Sequence, residues 1–210
     1  MNTELPEYWS RMRKTALGWV HPDDEELFGS VAHSFNLDFP PPAFVGDVTR
    51  AKIIILAANG GYKPDVTPKE FDAPGSEARY MNRISNPGET NWSEVAPYYD
   101  GVNYADLIIN GTAALVNVCA YRSRKISEEP ENKRLLARLP SVNFHRTWLL
   151  ETIFPQIESG KRVVVGKRHG LWSLPASVKT CNGFIADPAP ISPHLSNAVW
   201  ERLQRLIGPV

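Results

Sequence analysis

The sequence predicts an α/β fold: a three-layer α/β/α arrangement around a central four-stranded parallel sheet, within a single domain over residues 1–210. Three observations carry that expectation. Short, continuous apolar runs rich in Ile and Val recur along the chain, as strands buried on both faces require. Longer segments with helical spacing separate those runs, the alternation expected of a parallel sheet. Stop signals such as Ser159-Gly160 and Gly208-Pro209 close the helical segments.

Residues 1–45 carry mixed helical signals and read as an N-terminal helical extension containing the stiff run Pro40-Pro41-Pro42. Residues 52–58, apolar and rich in isoleucine, form the first predicted strand. From Gly60 to Val102 the chain turns to Pro, Gly, Asn and Tyr with little periodicity. A region of that length is either functional or holds short helices. A helix is predicted over 104–112, and a second strand over 113–120 (AALVNVCA). Helices are predicted over 132–139 and 144–159, with a third strand at 162–166 (RVVVG). The fourth strand is 183–187 (GFIAD). An amphipathic helix over 196–207 closes the fold, with Ser196 or Asn197 as its N-cap.

Composition narrows the function. The apolar share is 42% and Lys plus Arg equals Asp plus Glu at 23 each, so no global charge points to nucleic acid or membrane. A local basic patch remains compatible, because net charge averages over faces. Cys119 and Cys181 match no metal spacing, and Cys119 lies in an apolar run, which makes a reducing cytosol the expectation. The first residues hold no apolar signal core, and no window has the length of a membrane span, so a cytoplasmic protein without a membrane partner is expected. The chain has no Walker lysine motif, no G-x-G-x-x-G and no G-x-S-x-G, and neither cofactor nor metal is expected.

A parallel sheet gathers its ligand site at the carboxyl ends of the strands. Asn59, Gly60 and Gly61 follow the first strand. Asn117 lies within the second, which runs on to Tyr121, Arg122, Ser123, Arg124 and Lys125. Lys167, Arg168 and His169 follow the third, and Asp187 to Ile191 the fourth. Each has an ordinary reading. Asn-Gly-Gly makes a turn, since glycine tolerates positive φ. Arg122, Arg124 and Lys125 form a solvated charged face, and Asp187 caps a turn. Asn117 bonds a neighbouring backbone group; left unpaired in an apolar strand it would cost roughly 1–3 kcal/mol.

In their order along the chain, these stretches resemble the uracil-DNA glycosylase superfamily. Leu56-Ala57-Ala58-Asn59-Gly60-Gly61 is similar to that family's first motif. Val116-Asn117-Val118-Cys119-Ala120 is similar to the strand with a buried asparagine, and Asp187-Pro188-Ala189-Pro190 to a third motif that begins with histidine. The likeness covers about residues 40–207. It implies extrusion of a nucleotide from DNA and hydrolysis of its N-glycosidic bond by a monofunctional glycosylase that works as a monomer. In that frame Asn59 orients the attacking water, although an amide cannot take its proton. Asn117 reads the base edge, and Phe71, with Tyr62 as second choice, stacks on the base. Gly61 resembles the single-strand-selective monofunctional branch and implies room for a substituent at carbon 5 of a pyrimidine. Ile191 would wedge into the gap left by the flipped base, its ordinary reading being one exposed apolar residue. Ser192, Arg122, Arg124, Lys125, Lys167, Arg168 and Ser196 would meet phosphates, with His194 also on the DNA-binding face.

The third motif departs from the family. Asp187 stands where histidine would donate to the leaving base, and an ionised aspartate there would repel it. Three arrangements restore the chemistry: a protonated Asp187, an Asp187 placed near the sugar or the water, or His194 folding back as donor. The second is preferred, because a carboxylate supplies what Asn59 lacks. Readings from other classes are a base-binding module without cleavage, a glycosylase aimed at modified bases in foreign DNA, and a nucleoside-processing hydrolase on a similar sheet.

Overall fold

The computed structural model describes residues 4–89, 91–92, 101–188 and 192–207. The chain opens with α1 (Leu5–Ser10), the hairpin β1 (Arg13–Thr15) and β2 (Gly18–Val20), and α2 (Glu25–Ser30). Then follow β3 (Phe44–Val45), β4 (Ile53–Gly61), α3 (Ser76–Ser85), α4 (Ala105–Ile109) and β5 (Ala113–Ser123). After β5 come α5 (Pro130–Leu136), α6 (Pro140–Trp148) and α7 (Phe154–Glu158). The remaining elements are β6 (Val163–Gly166), α8 (Ala176–Thr180), β7 (Phe184–Ala186) and α9 (Asn197–Ile207).

The central sheet has five strands rather than four, in the order β3-β5-β4-β6-β7. Its β4, β5, β6 and β7 run parallel, and helices flank them. The extra strand is the edge: Phe44 and Val45 pair antiparallel with Val116 and Leu115. Two residues are too few to show alternation, so the strand carries no sequence signal of its own. The segment 144–159, expected as one helix, holds the end of α6, a π turn at Leu149–Ile153, and α7. Pro155 has no N–H to offer the helical ladder where that change occurs.

The first 45 residues hold a hairpin besides two helices. Leu5, Trp9, Val20 and Phe28 join the same hydrophobic cluster as Ile53–Leu56 of β4 and Leu203 of α9. That last helix buries Val199 and Leu203 on one side at four-residue spacing, and Leu195 just before it is buried too. No helix among the described residues is long and apolar enough to cross a membrane.

The topology places the site. From β4 the chain moves to β5 on one side, and from β5 it crosses back to β6 on the other. This reversal makes the carboxyl end of β4 the switch point at which open α/β sheets bind ligands. β4 and β5 also outrun their neighbours, because Leu56 pairs with Gly166 whereas pairing with β5 continues to Gly61.

Candidate functional site

Asn59-Gly60-Gly61 is not a turn. These residues continue β4 and pair with β5, with a bulge between Asn59 and Gly60. Neither glycine has a positive φ. Gly60 is required for another reason: a Cβ there would lie 2.5 Å from the Ala120 carbonyl oxygen and 2.8 Å from the Pro42 ring. Close approach of backbone, rather than chain reversal, selects glycine.

The pleat sets Asn59 and Asn117 on one face. Ala57 is opposite Asn117 and Asn59 opposite Cys119, so alternate residues of both strands share that face. Adjacent strands and a two-residue offset put the two Cα atoms about 8 Å apart. The Asn59 Nδ2 donates to the Gly60 carbonyl at 2.7 Å and to Ser123 Oγ at 3.0 Å. A carbonyl only accepts, which fixes the amide's orientation. Asn59 Oδ1 takes no hydrogen bond among the described residues and is left as an acceptor.

Asn117 is 1% exposed. Its Nδ2 donates to the Pro42 carbonyl at 2.7 Å, which fixes this amide too. One N–H and Oδ1 remain without a partner among the described residues, a donor and an acceptor side by side. Backbone carbonyls beyond the end of β6 are already taken. The N–H groups of Lys167 and Arg168 donate to Leu56 at 3.2 and 3.1 Å, and the Trp172 indole donates to Ala57 at 2.8 Å.

Asp187 sits just past β7, two strands and so about 10 Å sideways from β4. Its side chain is fully buried, and Lys167 Nζ lies 3.3 Å from Oδ2. The Ser196 N–H points at the same oxygen at 3.4 Å, and Lys167 Nζ also donates to the His194 carbonyl. Burial pulls the Lys167 amine below its ordinary value, and the Asp187 charge opposes that. Asp187 therefore ties the chain after β7 to β6, its charge held against Lys167. Lys167, expected to meet phosphate, is buried in that pair. His194 is exposed, its ring accepting from the Asn103 N–H at 3.2 Å. Ser192 is half-buried and accepts from the His194 N–H at 3.1 Å.

Arg122, expected on a solvated face, is 3% exposed. It donates to the carbonyls of Pro40 and Gly61 at 3.0 and 3.2 Å and to Glu70 at 3.1 Å. β5 runs to Ser123 instead of ending at residue 120, which draws Arg122 into the protein. Arg124 and Arg168 are exposed, and so is Lys125, which pairs with Glu128 at 3.2 Å. Phe71 is half-buried: the Phe39 ring stacks on it at 5.4 Å, and the Arg122 guanidinium lies 5.6 Å from its centroid. Those partners pack against the ring expected to stack on a base. Tyr62 is half-buried and follows β4, its N–H bonded to Ser123. Gly61 accepts from Arg122 within the sheet. Ile191, Ala189 and Pro190 lie outside the described residues.

Several partnerships carried no sequence signal. Ser123 orients Asn59, Pro42 orients Asn117, and Glu70 balances Arg122 through spatial contacts that no spacing announces. One Glu70 oxygen is buried without a partner, and burial raises its carboxyl while Arg122 opposes the rise. Burial also pushes the Cys119 thiol well up, which makes it inert. No group of three or more His, Cys, Asp or Glu that could hold a metal ion occurs among the described residues. Against family models, curated proteins and solved structures alike, the chain finds no match.

Proposed function

We propose that the protein is a monofunctional DNA glycosylase of the uracil-DNA glycosylase type, which flips out a uracil-like base and hydrolyses its N-glycosidic bond. The observation that carries this reading is the pair of pinned amides at the switch point. Asn117 keeps one donor and one acceptor open, the complement of a pyrimidine Watson–Crick edge. Asn59, one strand over on the same face, keeps an acceptor open for a water. A purely structural asparagine in a strand has no need of this unengaged donor and acceptor capacity, because buried polar groups are ordinarily paired within the protein.

The chemistry asks for a donor to the departing base anion, an acceptor for the attacking water, and little else from a monofunctional enzyme. Asn117 N–H supplies the first and Asn59 Oδ1 the second. Asp187 contributes by anchoring the segment that follows β7. Because Asn117 is almost closed off, a base enters only as neighbouring side chains move apart. Arg124, Lys125 and Arg168 are the exposed cations that would meet phosphate, with affinity falling as salt rises. Right-handed crossovers would place the helices between β4 and β5 on one face and the later ones on the other, a three-layer arrangement.

The test is direct. Oligonucleotides carrying uracil, hydroxymethyluracil, hypoxanthine or a bulky modified cytosine are incubated with the protein, and abasic sites are then cleaved with alkali. Breaks at one of these bases, lost in Asn117→Ala and Asn59→Ala, are the expected outcome. A second reading, a base-binding module without cleavage, is favoured by one observation: the aspartate that stands in place of the third motif's histidine is buried and paired with Lys167. DNA binding without breaks on any substrate would select it.

A further inference from the structure

Asn117 is held by chain segments far from it in sequence, and one of those holds is unusual. Its N–H donates to Ala43 at 3.0 Å, as expected beside an edge strand. The reciprocal ladder bond is missing, because the Ala43 N–H donates to Pro41 instead. The vacated Asn117 carbonyl is taken by His145 Nδ1 at 2.7 Å. On the far side of that ring, His145 Nε2 is 2.6 Å from the Trp9 indole nitrogen.

The partners settle the tautomer. An indole N–H only donates, so Nε2 is the bare nitrogen; a carbonyl only accepts, so Nδ1 carries the hydrogen. The ring is completely buried, stacked on Trp172 with centroids 6.3 Å apart and meeting Trp9 at its edge. Burial lowers its pKa to about 3, so the ring is neutral throughout the ordinary range.

We infer that His145 is a positioning residue for base recognition: its Nδ1–H fixes the Asn117 peptide plane where the edge strand lets go, and so aims the Asn117 amide. This rests on the reading of Asn117 as the group that meets the base. The Pro42 carbonyl stops the amide from flipping, and His145 stops the backbone that carries it from tilting. Together they determine which order of donor and acceptor the site presents, and therefore whether it suits uracil or cytosine.

Two substitutions separate the ring nitrogens. His145→Asn keeps an N–H near the Nδ1 position, whereas His145→Gln reaches the Nε2 position and gives Trp9 an acceptor. Excision of uracil and of cytosine from otherwise identical oligonucleotides is measured for both, beside their melting temperatures. The expected result is near-native rate and base preference in His145→Asn. In His145→Gln, kcat falls by up to about a hundredfold, as a displacement of about 1 Å can cause, and base preference is lost at a similar melting temperature. Equal losses that track melting temperature in the two variants, or no loss in His145→Gln, would overturn the inference while the glycosylase reading stood. Wild-type protein that neither excises nor selects any base would overturn the reading and the inference together. Should neither variant fold, 15N NMR of the wild-type ring decides: a His145 Nδ1 shift that depends on the base in added DNA supports positioning, and an indifferent shift refutes it.

Discussion

The Asn59 amide and the Ser123 hydroxyl meet at 3.0 Å across the ends of two neighbouring strands. This bond, with the one to Gly60, spends both hydrogens of the Asn59 amide inside the protein. Ser123→Ala frees one hydrogen and leaves the amide held by the Gly60 carbonyl alone. One lost hydrogen bond is worth about 1 kcal/mol. Excision should fall roughly fivefold to tenfold in kcat with melting temperature little changed. Single-turnover kinetics would show it, and an unchanged rate would remove Ser123 from the site.

The Lys167–Asp187 pair gives a stability prediction. Lys167→Met leaves a buried carboxylate without its cation, and urea denaturation should show a loss of about 3–5 kcal/mol. A double variant, Lys167→Met with Asp187→Leu, should recover much of that loss, because the cost lies in the stranded charge. A double variant as unstable as the single one would mean that packing, rather than charge, holds the chain after β7.

Gly60→Ala tests close approach at the bulge. The added methyl would meet the Ala120 carbonyl and the Pro42 ring, so backbone must shift by several tenths of an ångström. Overpacking of this kind costs about 1–3 kcal/mol. Because Pro42 also bonds Asn117, base preference should change as well. A variant with native stability and native preference would show that the bulge yields freely.

Acid should destabilise the fold through two histidines. Burial holds His21 and His145 neutral, with pKa values of about 4 and about 3. In the unfolded chain both take protons near pH 6.5. The stability they carry is whole above that value and is lost as pH falls from there toward 4 and 3. Asp24, whose carboxyl burial raises, acts in the opposite direction, since the native state then takes its proton first as pH falls. Urea midpoints between pH 7 and pH 4 should therefore decline, and His145→Asn should flatten part of the slope. A midpoint independent of pH over that interval would contradict the burial of both rings.

The parallel sheet was legible because Ile53–Leu56 and Val163–Val165 are apolar on both faces, a pattern with few other homes. The two-residue edge strand was not, and the Asn59-Gly60-Gly61 stretch was misleading for a physical reason. Glycine serves turns and close backbone contacts alike, and only the neighbour distinguishes them. Asn117 stood out as a polar break in β5, whereas His145 sits in an ordinary helical segment. Arg122 shows a further limit: a charged residue beside two other cations reads as surface until its carboxylate, fifty-two residues away, is placed against it.

The bond between Trp9 and His145 joins residues 136 positions apart. During synthesis, α1 leaves the ribosome long before its partner exists. His21 and α3 are made earlier and pack against α1, but the Trp9 indole gains its acceptor only when residue 145 has been made. Such long-range closure slows folding and prolongs the exposure of sticky surface. The support of β5 at Asn117 is therefore completed late, after α6 has been made.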